Sequence, residues 1–338
     1  MKTRSFVGFS APSVLLMLAL LALPLSMTFW LSVRHCAPVR ELVTVQQSGP
    51  FGSQAVLTQR TRTDAAGRAM QRCGFVGLDY YRKVLGLATP GNAAKGVANS
   101  ADAPSRDEPS HNEFLEALKF TLIYIAATTP FILAGGLALA LAVQRASARL
   151  RGFLIAASLL PFIITPLVGA LAIKWLFRDN GLVPHLLSGL GIQIFWMAQA
   201  GSARLLIVLY GIWHVLPFAF IVLYAGLQSV PQDSLEAARL DGASRWQQLR
   251  FVTLPHLMPL AVFVTLIHVM DAYRVFEPVL VLTQGAFTTS VQYLTYQVLL
   301  EENNPFKASA AAVLTVLGIA VLIVPLLHRT WREQRQGF

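Results

Sequence analysis

The chain has 338 residues, of which 55% are hydrophobic and only 13% are charged. A soluble domain carries about a quarter charged residues, so this composition excludes an ordinary soluble protein and favours a membrane protein. The net charge of +10 would suit a nucleic-acid-binding protein. No basic stripe is interleaved with aromatic residues, however, so we expect no nucleic-acid partner.

Six apolar stretches are long enough to cross a lipid bilayer, which takes about 20 residues. We therefore predict an all-α integral membrane protein with six transmembrane helices. Several stretches contain proline, which membrane helices tolerate because neighbouring groups satisfy the freed backbone. The predicted spans are Ala11–Val33, Glu116–Val143, Gly152–Phe177, Leu205–Gln228, Met258–Leu282 and Lys307–His328.

The spans divide the chain into an N-terminus with the first helix (1–33), a long periplasmic loop (34–115) and a five-helix core (116–338). Lys and Arg gather at both termini and in two short loops. The positive-inside rule therefore predicts that both termini lie in the cytoplasm. The first span is predicted to remain as an anchor, since residues 32–35 form a poor cleavage site.

The long loop holds both cysteines of the chain, Cys36 and Cys73. In an oxidising compartment they either form one disulfide or remain two unrelated thiols. Leu42–Val45 reads as a short strand-like run, and Phe75–Leu87 as a short amphipathic helix on the membrane surface. Ala88–Ser110 has the composition of a mobile linker.

A polar segment on the predicted cytoplasmic side, residues 229–257, has clear helix signals. Asp233 and Glu236 have the spacing of an N-terminal cap and its reciprocal acceptor, which predicts a helix at 234–241. Gly242 suits a helix end, and a second helix is predicted at 244–253 because a proline follows. The segment should form a helix–Gly–helix hairpin that buries little by itself and docks on another protein.

The hairpin carries the residues Glu-Ala-Ala-Arg-Leu-Asp-Gly-Ala at 236–243, followed by Leu-Pro at 254–255. This pattern resembles the EAA loop of ATP-binding-cassette (ABC) importer permeases, with a mild departure at Leu249, where Phe is common. The resemblance implies that the hairpin inserts into a cleft of a separate ATP-hydrolysing subunit. The coupling residues it implies are Glu236, Ala237, Ala238, Asp241, Gly242, Leu254 and Pro255.

The types of these residues suit a contact of that kind. Ala237 and Ala238 let a partner surface approach closely, Glu236 and Asp241 can pair with basic residues, and Gly242 sets the angle between the helices. The chain has no phosphate-binding loop of its own, because Asn92 stands where such a loop requires Lys. We therefore expect a transport subunit that is not an enzyme.

A second resemblance narrows the family. Phe-Val-Gly-Leu-Asp-Tyr-Tyr at 75–81 is similar to the F-V-G-L-x-N-Y segment of carbohydrate-uptake permeases of the maltose and glycerol-phosphate importer type. Shorter segments, such as Leu-Pro-Phe at 160–162, follow in the same order. The resemblance implies a sugar or sugar derivative, although permeases for polyamines or phosphonates share the coupling loop. Residues 39–72 depart from the usual six-span member.

Polar side chains at bilayer depth mark candidates for a solute path. Asp271, Arg274 and Glu277 lie along one helix face, either as a structural ion network or along the path. His268 and His214 either line the path or simply pack. Resemblance to maltose-type permeases implies further positions on the helices that flank the hairpin. The candidates are Phe162, Gly211, Trp213, His214, Val215, Phe218, His268, Asp271 and Ala272.

The resemblance also implies partners: a second homologous permease, two ATPase subunits and an extracytoplasmic solute-binding protein. ATP and Mg²⁺ would then belong to the ATPase, and this chain is expected to bind no cofactor and no metal. One rival is an ion-coupled secondary transporter with Asp271 and His268 as a proton relay. Another is an intramembrane enzyme, which would need a nucleophile–base or metal pair that the sequence does not offer.

Overall fold

The computed structural model describes residues 3–49, 52–64, 70–87 and 112–336. The predicted linker at 88–110 lies outside these residues. Two compact units are present. The first comprises residues 1–112 and 298–314, and the second comprises residues 113–297 and 315–338.

The first unit begins with the long helix α1, Thr3–Ser32. Its large apolar side chains from Val14 to Trp30 are exposed around the whole helix. A helix that buries none of these side chains in its own chain is suited to hydrocarbon or to another subunit.

Four strands follow α1, so the prediction of an all-α chain is wrong in this region. Strand β1, Arg34–Pro38, pairs antiparallel with β4, Gln71–Phe75. Strand β2, Arg40–Gly49, pairs antiparallel with β3, Gly52–Thr61. The strand-like run at Leu42–Val45 is only the centre of β2; its ends are polar and Gln-rich, and pairing with β3 extends it in both directions.

Helix α2, Asp79–Val84, is shorter than the predicted amphipathic helix, because Phe75 is the last residue of β4. Its Tyr80 and Val84 are buried and do not lie on a membrane surface as predicted. The Tyr81 hydroxyl lies 2.7 Å from the hydroxyl of Ser32 at the end of α1. Tertiary contacts therefore bury part of the apolar face that the sequence assigned to lipid, whereas Phe75 and Leu87 remain exposed.

The second unit is built on close packing between α3, Glu113–Arg145, and α7, Ala200–Gln228. A Cβ added at Gly136 would lie 2.8 Å from the Ala219 side chain and 3.0 Å from the Phe220 backbone nitrogen. Small residues at such a crossing let two membrane helices approach closely. Helix α10, Leu254–Tyr273, packs against both of them.

The third predicted span, Gly152–Phe177, is not one continuous helix. The structure divides this region into α4, Ala148–Ile163, α5, Pro166–Phe177, and α6, Leu182–Ser188. The chain bends by 95° at the break after α4. Thr165 is extended, because a residue before proline is pushed out of the helical region.

The remaining segments are α8, Gln232–Leu240, α9, Arg245–Gln248, α11, Val291–Leu300, and α12, Pro305–Gln336. Among the described residues, five helical segments are long and apolar enough to span a membrane, and the bent α4–α6 region would make a sixth. The fifth predicted span ends early, since α10 stops at Tyr273 and residues 274–276 are not helical.

Candidate functional site: an exposed hairpin and a membrane cavity

The polar segment 229–257 forms a hairpin of α8 and α9. Gly242 joins the two helices with a φ of +76°, a left-handed conformation that costs glycine little. Ser244 accepts a hydrogen bond from the Gln247 backbone N–H, and the Gln247 side chain accepts one from the Ser244 N–H. This capping box starts α9 and holds its entry angle.

Two details of the predicted hairpin are wrong. Asp233 does not cap α8, because the helix already begins at Gln232, directly after Pro231, and has no side-chain cap. The second helix does not stop before Pro255 either. A π-helical turn, Leu249–Thr253, carries the chain into α10, and its wider bonding pattern accommodates the missing proline N–H.

The predicted coupling residues lie together on this hairpin and are mostly open to solvent. Glu236, Ala237, Asp241 and Gly242 are exposed, and Ala238 is half-buried. Leu254 and Pro255, which begin α10, are exposed as well.

Three large apolar side chains on the hairpin are strongly exposed, and the sequence analysis did not identify them as candidate contact residues. Leu240 is 90% exposed, Trp246 67% and Phe251 69%. They lie in the same segment as the charged residues of the motif, and their signal in the sequence is the presence of large apolar residues in an otherwise polar segment. An exposed apolar group rimmed by charge is typical of a protein-binding surface.

A cavity of about 310 Å³ lies within the second unit. Its walls come from α3, the start of α5, α7, α10, residues 274–278 after α10, and α11. The lining residues are Tyr124, Pro166, Tyr210, Gly211, His214, Val215, His268, Asp271, Ala272, Arg274, Val275, Phe276, Glu277, Pro278 and Gln292.

Both helix breaks of the second unit border this cavity. Pro166 follows the break after α4, and Arg274 begins the non-helical residues after α10. Irregular backbone at membrane depth is tolerated only where protein buries it or where it lines a polar cavity. Gly211 contributes space, since a Cβ there would collide with the hydroxyl and ring of Tyr124.

Two side chains of α7 hold the α4–α5 break in place. The Tyr210 hydroxyl donates to the Pro166 carbonyl oxygen at 2.6 Å, and the His214 Nδ1–H donates to the Pro161 carbonyl oxygen at 2.9 Å. The two rings lie one helical turn apart and stack, with centroids 5.8 Å apart. Pro161 lies in the last turn of α4, where carbonyls lack helical donors, and His214 supplies one; Tyr210 bonds instead to the first residue of α5.

Six of the nine candidate path residues line the cavity: Gly211, His214, Val215, His268, Asp271 and Ala272. The other three do not, although they lie nearby. Phe162 and Phe218 stack at 5.9 Å beside His214, and Trp213 lies 6.0 Å from the Tyr210 ring. A role for any of the nine in solute passage stays a prediction.

His268 has the most restricted environment of these residues. It is 2% exposed, and its Nε2 lies 2.9 Å from the Thr128 hydroxyl of α3. Its Nδ1 has no hydrogen-bond partner among the described residues. A buried nitrogen without a partner is costly, so His268 Nδ1 is an unsatisfied polar group within the packing of the second unit.

Of the three side chains considered for an ion network, Asp271, Arg274 and Glu277, only the first two form an ion pair. Arg274 lies 3.7 Å from Asp271, and both side chains are largely exposed to the cavity or solvent. No ion pair to Glu277 occurs among the described residues. Among those residues, no cluster of three or more His, Cys, Asp or Glu side chains could hold a metal ion.

A separate cluster in the first unit surrounds the two cysteines. Cys36 of β1 lies opposite Cys73 of β4, and the two form a disulfide. The adjacent His35 contacts the Tyr80 hydroxyl through Nδ1 at 2.5 Å, and the Tyr80 ring stacks on Phe306. Burial, with a smaller effect from nearby Lys83, lowers the pKa of His35. Burial raises the pKa of Tyr80 to about 12.

Comparison with known proteins assigns the larger part of the chain to a broad family. Residues 110–336 match the family described as the binding-protein-dependent transport system inner membrane component. The chain is also 29% identical over 267 residues to a probable ABC transporter permease protein of Pyrococcus horikoshii. That alignment covers 78% of this chain and 87% of the relative.

Two further similarities involve carbohydrate transporters. The chain is 36% identical over 151 residues to the trehalose/maltose transport system permease protein MalF of Thermococcus litoralis, covering 43% of this chain and 51% of the relative. It also resembles the crystal structure of a bacterial ABC transporter involved in the import of the acidic polysaccharide alginate. There the TM-score is 0.59 and the identity 25%, over 66% of this chain and 80% of the other.

Proposed function

The chain belongs to the family of binding-protein-dependent transport system inner membrane components, and from this premise we propose that it imports a sugar or sugar derivative as the permease of an ABC importer. One observation carries the proposal. The helical segment Arg245–Tyr273 starts in the exposed hairpin and reaches the cavity at His268 and Asp271. Movement of the hairpin is thereby transmitted to the cavity along one continuous element.

The hairpin is the proposed contact with the ATPase. Leu240, Trp246 and Phe251 supply apolar area for the centre of an interface, where aromatic residues are enriched. Glu236 and Asp241 supply the charged rim, since both are exposed. ATP and Mg²⁺ bind in the ATPase, and this chain carries out no hydrolysis.

The cavity is the proposed solute site. Its volume falls at the lower end of the range of small-molecule pockets. Tyr124 and Gln292 can donate and accept hydrogen bonds, and the Tyr210 oxygen, whose proton goes to Pro166, can accept one, as a sugar's hydroxyl groups require. The names of two similar proteins, one a trehalose/maltose permease and one an alginate importer, support a carbohydrate as the solute.

The proposed importer contains a second homologous permease, two ATPase subunits and an extracytoplasmic solute-binding protein. Closure of the two ATPases draws the hairpins together and switches the cavity from inward to outward access. In a bacterial inner membrane, the clusters of Lys and Arg place both termini and the hairpin in the cytoplasm. The loop at 34–115 then faces the solute-binding protein.

The sharpest test is Leu240→Asp in the full complex reconstituted into proteoliposomes. A charge at the centre of the hairpin surface should lower ATP-driven sugar uptake at least about tenfold and release the ATPase during purification. The melting temperature of the permease should stay unchanged, because the Leu240 side chain is 90% exposed.

Leu190→Asp is the matched control, since Leu190 is 76% exposed and lies outside the hairpin. It should retain both uptake and the ATPase. Normal uptake by the Leu240→Asp complex would contradict the coupling role. Uptake that follows an ion gradient in the absence of ATP would replace the proposal with a secondary transporter.

A further inference from the structure

The charges that line the cavity do not balance. Asp271 and Glu277 are acidic, and Arg274 is the one Lys or Arg among the lining residues. The remaining polar side chains of the lining carry no carboxylate, ammonium or guanidinium group: Tyr124, Tyr210, His214, His268 and Gln292.

The single cation is already engaged. Arg274 lies 3.7 Å from Asp271, one helical turn away, and Asp271 is the one carboxylate within ion-pair distance of it among the described residues. Glu277 has neither an ion pair nor a hydrogen bond among the described residues, and it is half-buried in the cavity wall. One carboxylate is therefore left to act on whatever occupies the cavity.

We propose that Glu277 is a specificity-determining residue that selects the solute by charge, so that the cavity accepts neutral and amino-substituted sugars and rejects acidic ones. This inference rests on the proposed function, because it takes the cavity to be the solute site. In a partly desolvated cavity, two negative charges at contact distance repel strongly, while an ammonium group gains a charge-assisted hydrogen bond.

The proposed charge preference of this cavity differs from what one of the similar proteins requires. That ABC transporter is involved in the import of alginate, an acidic polysaccharide. An unpaired carboxylate in the cavity wall opposes a solute of that class, and like-charge contacts are an effective means of rejecting a wrong ligand. The shared fold therefore does not imply a shared charge preference.

The test measures binding to the permease complex without its solute-binding protein, so that delivery does not decide the result. The probes are trehalose, trehalose with one primary hydroxyl replaced by an amine, and trehalose with that position oxidised to a carboxylate. Saturation-transfer NMR at millimolar probe gives their affinities. The acid should bind at least about tenfold more weakly than the other two.

Charge variants at Glu277 sharpen the test. Glu277→Gln should remove most of the difference between the probes, and Glu277→Arg should reverse the order so that the acid binds best. Glu116→Arg is the matched control, since Glu116 is exposed on α3 and does not line the cavity. It makes the same charge change and should leave the order as in the unaltered complex.

Several outcomes overturn the inference. They are equal binding of the acid by the unaltered complex, no binding of any probe, an unchanged order in Glu277→Arg, or an equal loss for all three probes in Glu277→Gln, which would indicate a structural role. ATP-driven uptake of trehalose, measured separately in proteoliposomes, tests the proposed function. Its failure with the binding order intact would remove the transport role and leave the charge preference of the cavity standing.

Discussion

The stranded segment, residues 34–87, and the helical core, residues 113–297, are stabilised by different means. The stranded segment has one disulfide, between Cys36 and Cys73, two short ladders and a small cluster around Tyr80. The core has a continuous set of buried apolar side chains on α3, α7 and α10, with glycines at the closest helix approaches. The first depends on a few strong links and the second on many weak contacts.

This difference predicts how each region responds to a single change. Loss of one link should loosen the whole stranded segment and leave the core intact. A change at one core contact should instead alter a local distance, because the surrounding packing holds the helices in place. The following three experiments test that division, beginning with the largest expected effect.

Replacement of both cysteines, Cys36→Ser with Cys73→Ser, should cost the stranded segment about 3–4 kcal/mol of stability on chain-entropy grounds, since the bond closes a separation of 37 residues. Limited proteolysis should then cut within residues 34–75, whereas the core remains resistant. ATP-driven uptake per intact complex should persist. Cleavage of the core at the same protease concentration would show that the two regions are not independent.

The second experiment narrows the cavity by adding a single carbon atom, the Cβ of alanine, at position 211. Gly211→Ala places a Cβ against the Tyr124 hydroxyl and ring, and should lower sugar uptake roughly tenfold with the ATPase still bound, at a stability cost of about 1–3 kcal/mol. Gly201→Ala on the same helix is the control, because nothing lies within 4 Å of its added Cβ. It should be neutral or slightly stabilising. Equal effects of the two changes would assign the loss to helix propensity.

The smallest effect concerns His35. The fold lowers its pKa, so folding favours the neutral imidazole, which accepts a hydrogen bond from the protonated Tyr80 hydroxyl in one tautomer. This contribution is present above the ordinary histidine pKa of 6.5 and is lost as the pH falls through the lowered value. The protection factors of the amides in the stranded segment, which correct for the slower intrinsic exchange in acid, should therefore decrease as the pH falls below 6.5.

His35→Gln should remove that acid-dependent step while the slow exchange of the core stays unchanged. An identical step in the His35→Gln protein would assign the pH dependence to another group. An acid-dependent change of the same size in the hydrogen exchange of the core would show that the two regions do not respond independently.

Residues that are close together in the sequence were sufficient to predict much of the proposed coupling hairpin. The motif at 236–243 lies within one hairpin, and a left-handed glycine between two helices is decided by residues adjacent in the chain, so Gly242 was predicted correctly. The cap was misassigned to Asp233, although Ser244 and Gln247 have the same spacing and form the capping box. Leu42–Val45 of β2 was predicted as a strand-like run, and the rest of the four strands was missed because paired polar strands lack the alternating apolar pattern by which strands are identified.

The sequence by itself determined that the chain is a membrane protein, where its apolar segments lie and which segment carries the coupling motif, since each depends on residues that are neighbours in the chain. Only the tertiary structure decided where helices break and which side chains meet in the cavity. A proline can either kink a membrane helix or end it. At Pro166 the outcome depends on Tyr210 and His214, which bond to the carbonyls of Pro166 and Pro161 across 44 and 53 residues of chain. Hydropathy cannot register such contacts, because it averages over a window of about 20 residues.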